Sequence, residues 1–288
     1  MRKEHFDIIH SQEMVIGSIL AFTIAKKMGI RVRIMHSQNN YISNCVKRLI
    51  ILLSRPFLKK TATDFYACST EAGNFLFGKK INYEIIHNAI HAERFIYNEN
   101  LRKDVRTFLN ISSDTAVIGH VGRFEEQKNH TFLIKLFYQI MQTKSNVVLL
   151  LVGEGEAKRH IQNMVNDLNI SNKVIFYGLS DKMSELYSAM DIFVFPSLFE
   201  GLGIVGIEAQ CSGLPVIAST NISKGMKITD LVTWLSLKDG VDVWKDKTLE
   251  ILAEKEERRN MSSLIADAGY NIITETKKLE DRYSALIL

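Results

Sequence analysis

Two carboxylates, Glu200 and Glu208, bracket a glycine-rich stretch, Gly201-Leu202-Gly203-Ile204-Val205-Gly206. Asp191 to Phe195, just before it, is a branched and aromatic apolar run stopped by Pro196, as a short buried strand would be. Gly203 to Cys211 reads as a helix, and Pro215 to Ala218 as the next strand. A glycine turn that leads from a strand into a helix leaves backbone N–H groups unpaired, with the positive end of the helix dipole behind them. Gly201, Leu202, Gly203 and Ile204 therefore suit a phosphate. Carboxylates do not bind phosphate, so Glu200 and Glu208 need another partner. A sugar hydroxyl is a natural one, since a carboxylate accepts two hydrogen bonds side by side. A second stretch, Gly122-Arg-Phe-Glu-Glu-Gln-Lys128, also follows a strand. It offers a guanidinium fork at Arg123 and a compact ammonium at Lys128. The plainer reading of that pair is two solvated charges on a loop.

Gly201, Gly203 and Gly206 spell G-x-G-x-x-G, the dinucleotide fingerprint. The context argues against it. A five-residue loop separates the strand from the first glycine, and Ser219 and Thr220 stand where an acid should end the next strand. The two acids, the glycines between them, Pro196-Ser197 before and Gly213-Leu-Pro-Val216 after resemble instead the signature of family-4 retaining glycosyltransferases. That resemblance implies the GT-B fold: two doubly wound, Rossmann-like domains facing a cleft. It implies that Gly122, Arg123 and Lys128 hold the diphosphate of a nucleotide sugar, where fixed cations oppose the charge growing on the leaving oxygen. Glu200 would take the hexose and Glu208 the ribose. Gly153, in the Gly153-Glu-Gly155 turn, would lie near the nucleotide, and Leu179, in Tyr177-Gly-Leu-Ser180, near the base. Met35-His36-Ser37 resembles the family's histidine in the cleft wall. Arg123, Lys128, Glu200 and His36 are thus the candidate catalytic residues. The donor is expected to be UDP-linked and the acceptor a saccharide or polyprenyl-linked hydroxyl. The family needs no bound metal, no D-x-D occurs, and neither metal nor cofactor is expected.

The elements that must carry these residues alternate between strand and helix. Phe6–His10, Val32–His36, Asp64–Cys68 and Glu84–His87 read as strands, with helices over 15–28, 41–57 (interrupted by Pro56) and 70–77. His91 to Arg106 is polar and reads as a linker, giving domains of 1–97 and 98–288. Beyond it the pattern restarts: strands at 117–121, 147–152, 174–177 and 231–237, with helices over 131–142, 156–168, 182–190, 242–253 and 262–276. Alternation of this kind implies parallel sheets covered on both faces. Only three to four strands fit into the first segment, so it reads as an incomplete domain that opens partway along the family's pattern. The chain is expected to bind a nucleotide diphosphate and to transfer poorly.

The 288 residues are 46% apolar and 24% charged with net charge +4, a globular composition too weakly basic to argue nucleic acid. Cys45, Cys68 and Cys211 form no C-x-x-C pair and read as small buried side chains of a reducing cytoplasm. The start, Met1 to His5, shows no signal peptide, and no run of 18 apolar residues could span a membrane. Val46, Leu49, Ile50, Leu53 and Phe57 share one helical face among Lys47, Arg48, Arg55, Lys59 and Lys60. This is either a surface helix resting on anionic lipid at the inner face of the membrane or a domain helix with a solvated basic side. His10 ends a strand as His36 does. His87 and His91 flank Asn88, for which a turn role fits better than a metal site. The tail from Ser219 to Leu237 resembles enzymes of capsule and exopolysaccharide assembly. The alternatives are a nucleotide-sugar 2-epimerase, which would need further cleft acids and histidines, and a nucleotide-sugar-binding remnant.

Overall fold

The computed structural model describes residues 5–12, 15–38, 45–254 and 257–288. The chain forms two compact units. The first comprises Met1–Ala89, Glu200–Leu202 and Gly269–Leu288, and the second Ile90–Phe199 and Gly203–Ala268. The expected boundary lay at 97/98, with everything beyond it in one domain.

In the first unit the elements run β1 (Ile8–Ser11), α1 (Val15–Lys27), β2 (Val32–Ser37), α2 (Cys45–Thr61), β3 (Asp64–Ala67), α3 (Thr70–Phe77) and β4 (Glu84–Ile85). The strands form one parallel sheet in the order β1-β2-β3-β4. Side chains alternate across it, as the pleat dictates. Met35 and Ala67 join Phe22, Ile51, Leu58 and Phe77 from α1 to α3 on one face. Val32, Ile34 and Tyr66 meet Leu279, Tyr283 and Leu286 on the other. Pro56 does not stop α2, which continues to Thr61. Leu58, beyond the proline, is fully buried, so core packing offsets the lost backbone bond. Val46, Leu49, Leu53 and Phe57 point outward and are exposed. The expected start of this helix, 41–44, lies outside the described residues, as do the side chains of Cys45 and Lys47 and residues 1–4 of the expected leaderless start. Cys68 and Cys211 are free and buried.

The second unit opens with α4 (Glu99–Phe108), followed by β5 (Ala116–Val121), α5 (His130–Thr143), β6 (Val147–Val152), α6 (Lys158–Asp167), β7 (Val174–Gly178), α7 (Met183–Ala189), β8 (Ile192–Phe195), α8 (Ile204–Cys211), β9 (Val216–Ser219), β10 (Val232–Leu235), α9 (Gly240–Glu254) and α10 (Ser262–Ile265). α4 corrects the reading of 91–106 as a linker. Its stability comes from a cap and ion pairs, which composition alone hides. Asn98 accepts from the backbone N–H of Asn100 and Leu101, and Arg102 and Arg106 each meet Asp191 at 2.6 Å. The six strands are all parallel, in the order β10-β9-β8-β5-β6-β7. The core lies between this sheet and α5, α6 and α9, with Ile118, Leu149, Val194, Phe137 and Trp244 at its centre. From β5 the chain first winds outward through β6 and β7, then returns to place β8 on the other flank of β5. β5 and β8 therefore form the topological switch point, where the crevice at the strand C-termini opens to ligands.

The expected helix over 262–276 is broken. α10 ends in a π-turn, Ala266–Tyr270, in which Gly269 takes φ 87°, and α11 (Ile272–Ile287) starts afresh under an Asn271 cap. α11 belongs to the first unit.

Candidate active site

The turn after β5 begins with Gly122, whose N–H donates to the Val152 carbonyl at 3.0 Å. A Cβ on Gly122 would lie 3.0 Å from the Lys128 side chain, so the lysine stem runs over the glycine. The Lys128 ammonium sits 5.5 Å from the centre of the Phe195 ring, at the end of β8. The Arg123 side chain is 79% exposed and pairs with Glu125 at 3.4 Å. The turn after β6 is interlocked with the turn after β5. A Cβ on Gly153 would stand 2.1 Å from the Gly122 carbonyl oxygen, and φ there is 142°. Gly155 presses on the Phe124 backbone in the same way. These glycines are needed first for the approach of two backbones.

The turn after β8 is tied to the turn after β5. The Leu198 N–H donates to the Gln127 carbonyl at 2.8 Å, the Gln127 amide to the Phe199 carbonyl at 3.0 Å, and the Asn129 amide to the Pro196 carbonyl at 3.2 Å. Asn129 takes the left-handed conformation, which asparagine tolerates, and enters α5 from it. Gly203 is left-handed too, at φ 85°, and no side chain caps α8. A Cβ on Gly203 would stand 3.1 Å from Phe195, and one on Gly206 2.7 Å from Met226 Sδ. Close packing therefore explains two glycines of the G-x-G-x-x-G spelling.

Glu208, on α8, accepts from the Tyr187 hydroxyl at 2.8 Å. Burial pushes its pKa up from 4.5 to about 7, and the Tyr187 bond partly opposes the shift. Beneath Lys128, His130 stacks on Phe124 at 4.2 Å and stands edge-on to His120 at 4.8 Å. Burial, and behind it the Lys128 charge, lowers His130 to about 4, so this ring is neutral at pH 7.

The sequence-predicted residues are thus distributed as follows. Gly122, Arg123, Lys128 and Gly153 share two interlocked turns at the C-terminal ends of β5 and β6. Gly203, Ile204 and Glu208 follow β8, on the other side of the switch point. Leu179 follows β7 at the same edge of the sheet and is 77% exposed. Glu200, Gly201 and Leu202 lie in the β8–α8 loop, in the short stretch that belongs to the first unit, and Glu200 is buried. His36 is on β2 of the first unit, buried, with its pKa lowered to about 4 by burial and then by neighbouring His10. The Asn88 amide donates to the Gln38 side chain at 2.7 Å, a tie to the end of β2 in place of the local turn role expected for it. Sequence reasoning missed Tyr187, Gln127 and Asn129. Only Asn129 left a signal, an asparagine directly before a helix start.

Two parallel-sheet α/β units, one with glycine turns and paired cations at its switch point, define the GT-B glycosyltransferase class. The profile of the family "Glycosyl transferases group 1" matches residues 102–265, and this chain belongs to that family. EpsF of Bacillus subtilis is 34% identical over 275 residues, covering 92% of this chain and 71% of EpsF. The UDP-Gal:alpha-D-GlcNAc-diphosphoundecaprenol alpha-1,3-galactosyltransferase of Escherichia coli is 24% identical over 311 residues, covering 100% of this chain and 78% of that enzyme. Among solved structures, Anabaena HepE in complex with UDP and glucose superposes with a TM-score of 0.79 at 16% identity, over 97% of this chain and 78% of HepE.

Proposed function

We propose that this glycosyltransferase moves a hexose from a UDP-sugar to a saccharide or polyprenyl-linked hydroxyl, with retention at the anomeric carbon, in the assembly of a cell-surface polysaccharide. The observation that carries the reading is the clasp of the cationic turn to the β8 loop at the β5/β8 switch point. Arg123 and Lys128 hold the diphosphate, with the N–H groups at Gly203 and Ile204 beside it. Glu208 takes the ribose hydroxyls, Glu200 the hexose, and exposed Leu179 the base. The bond from the anomeric carbon to the diphosphate breaks, and the acceptor oxygen bonds the same face of that carbon. The leaving phosphate oxygen takes the acceptor's proton. Arg123 and Lys128 offset the charge on the leaving group, so no metal is assigned a role, and His36 donates to the sugar or phosphate. The E. coli relative's name, with its UDP-linked donor and polyprenyl-linked acceptor, supports both substrate classes. We place the reaction at the cytoplasmic face of the membrane, with the exposed stripe of α2, edged by Arg48, Lys59 and Lys60, resting on anionic lipid.

The division of labour between the acids is testable by titrating UDP and UDP-sugar into Glu200→Gln and Glu208→Gln. Each lost bond to a charged group should weaken binding about ten- to a hundredfold. Glu208→Gln should weaken both ligands, and Glu200→Gln only the sugar-bearing one. Equal losses on both ligands in both variants would refute it.

A further inference from the structure

His10, His36 and Tyr283 form a continuous hydrogen-bonded row within the first unit. His10 Nε2 and His36 Nδ1 are 3.2 Å apart, and His10 Nδ1 bonds the Tyr283 hydroxyl. Tyr66 stands edge-on to both imidazoles, at 5.9 and 6.1 Å. The row is fixed from both ends. His36 sits in the middle of the sheet, and Tyr283 lies in the α11 stripe with Leu279 and Leu286 that packs on the core. An Arg282–Glu84 ion pair at 2.7 Å anchors α11 beside it. His36 is only 3% exposed, yet its Nε2 has no hydrogen-bond partner among the described residues, and the neighbouring Ile86 backbone favours a proton on the ring. A buried polar atom left unsatisfied is unfavourable and calls for an explanation.

We propose that Tyr283 and His10 are positioning residues that fix the tautomer of His36 and present its Nε2–H to an acceptor oxygen of the substrate, a sugar hydroxyl or a phosphate. This rests on the assignment of His36 to the reaction made above. The polarity of the row follows from its chemistry. A phenol is a better donor than acceptor, so the Tyr283 O–H donates to His10 Nδ1. A neutral imidazole carries one proton, so His10 then holds it on Nε2 and donates to His36 Nδ1. His36 in turn must carry its proton on Nε2. Two imidazolium ions 3.2 Å apart would repel each other, so the rings are not charged together, and burial disfavours the charge on either one. The tautomer of the ring thus depends on a residue 247 positions further along the chain.

The test is ring-nitrogen NMR on the full chain labelled with 15N-histidine, with kinetics alongside. In the wild type His36 should report a protonated Nε2 and a bare Nδ1. Tyr283→Phe and His10→Leu should shift it towards a mixture, while His10→Gln, whose amide can still donate, should restore the single form. Ring shifts unmoved by both Tyr283→Phe and His10→Leu would overturn the proposal. Tyr283→Phe should lower kcat about fivefold, the worth of one ordinary hydrogen bond, with KM for the nucleotide sugar unchanged. It should add nothing in a His36→Ala background, and losses that multiply there would also overturn the proposal. If His36→Ala turns over like the wild type while the ring shifts still respond to Tyr283→Phe, the assignment of His36 to the reaction fails and the row remains a tautomer-setting device.

Discussion

Glu208 carries two features that pull in different directions. It takes a hydrogen bond from Tyr187, which favours the carboxylate, and it is buried, which disfavours the charge more strongly. With its pKa raised from 4.5 to about 7, the folded protein holds a proton that the unfolded chain has already released. Between those two values the native state binds more protons than the unfolded one, so stability falls as pH rises. Glu208→Gln should remove that slope and gain roughly 1–3 kcal/mol over the wild type at pH 8 relative to pH 5, read from urea melts at both pH values. Ligand binding should show the opposite sign. A ribose hydroxyl is held by the ionised form, so UDP affinity should weaken from pH 8 to pH 6 in the wild type and stay flat in Glu208→Gln. A flat wild-type profile would remove Glu208 from the ribose site. The sequence announced Glu208 through its spacing from Glu200 and the glycines. It could not announce Tyr187, because nothing in the spacing of two residues on different helices says that their side chains meet.

Turns and caps decide where these side chains stand. The glycines after β5, β6 and β8 were legible as turn residues. Their individual reasons, Gly153 against the Gly122 carbonyl and Gly206 against Met226, needed coordinates. The Gln127–Asn129 clasp is the element-scale feature that the proposed donor site most depends on. Gln127→Ala removes one of its three bonds and should cost about 1 kcal/mol of stability. It should also raise KM for the nucleotide sugar more than it lowers the melting temperature of the fold predicts. A variant that loses stability but keeps its KM would make the clasp purely structural. The strands, and the helices from α5 to α9, were readable by period. α4 was not, since its apolar content is low and an Asn98 cap with two arginine–aspartate pairs holds it. Pro56 misled in the other direction, because the burial of Leu58 outweighs the local preference.

At the scale of the molecule, the alternation of strand and helix established two α/β units, and the proposed diphosphate and ribose residues Arg123, Lys128 and Glu208 all fall in the second. The break at Gly269 and the passage of α11 to the first unit were hidden, because an apolar stripe on a helix does not say which sheet it will cover. This division gives a prediction of its own. Residues 90–268 contain the complete six-stranded sheet, its core and both turns of the switch point. Expressed alone, this segment should fold and bind UDP, which calorimetry at millimolar nucleotide would register. A folded segment that does not bind would mean that the site needs the first unit.

The most direct test of the proposed donor site is a calorimetric titration of UDP into the full chain and into Arg123→Ala/Lys128→Ala. Arg123 is exposed, Lys128 is half-buried beside Phe195, and neither belongs to the core cluster of the second unit, so the variant should melt within about 1 kcal/mol of the wild type. The prediction is measurable UDP binding in the wild type and a loss of at least about a hundredfold in the variant, from two charge-assisted contacts of roughly 1.5–3 kcal/mol each. Equal affinity in the two proteins would show that the diphosphate is held elsewhere.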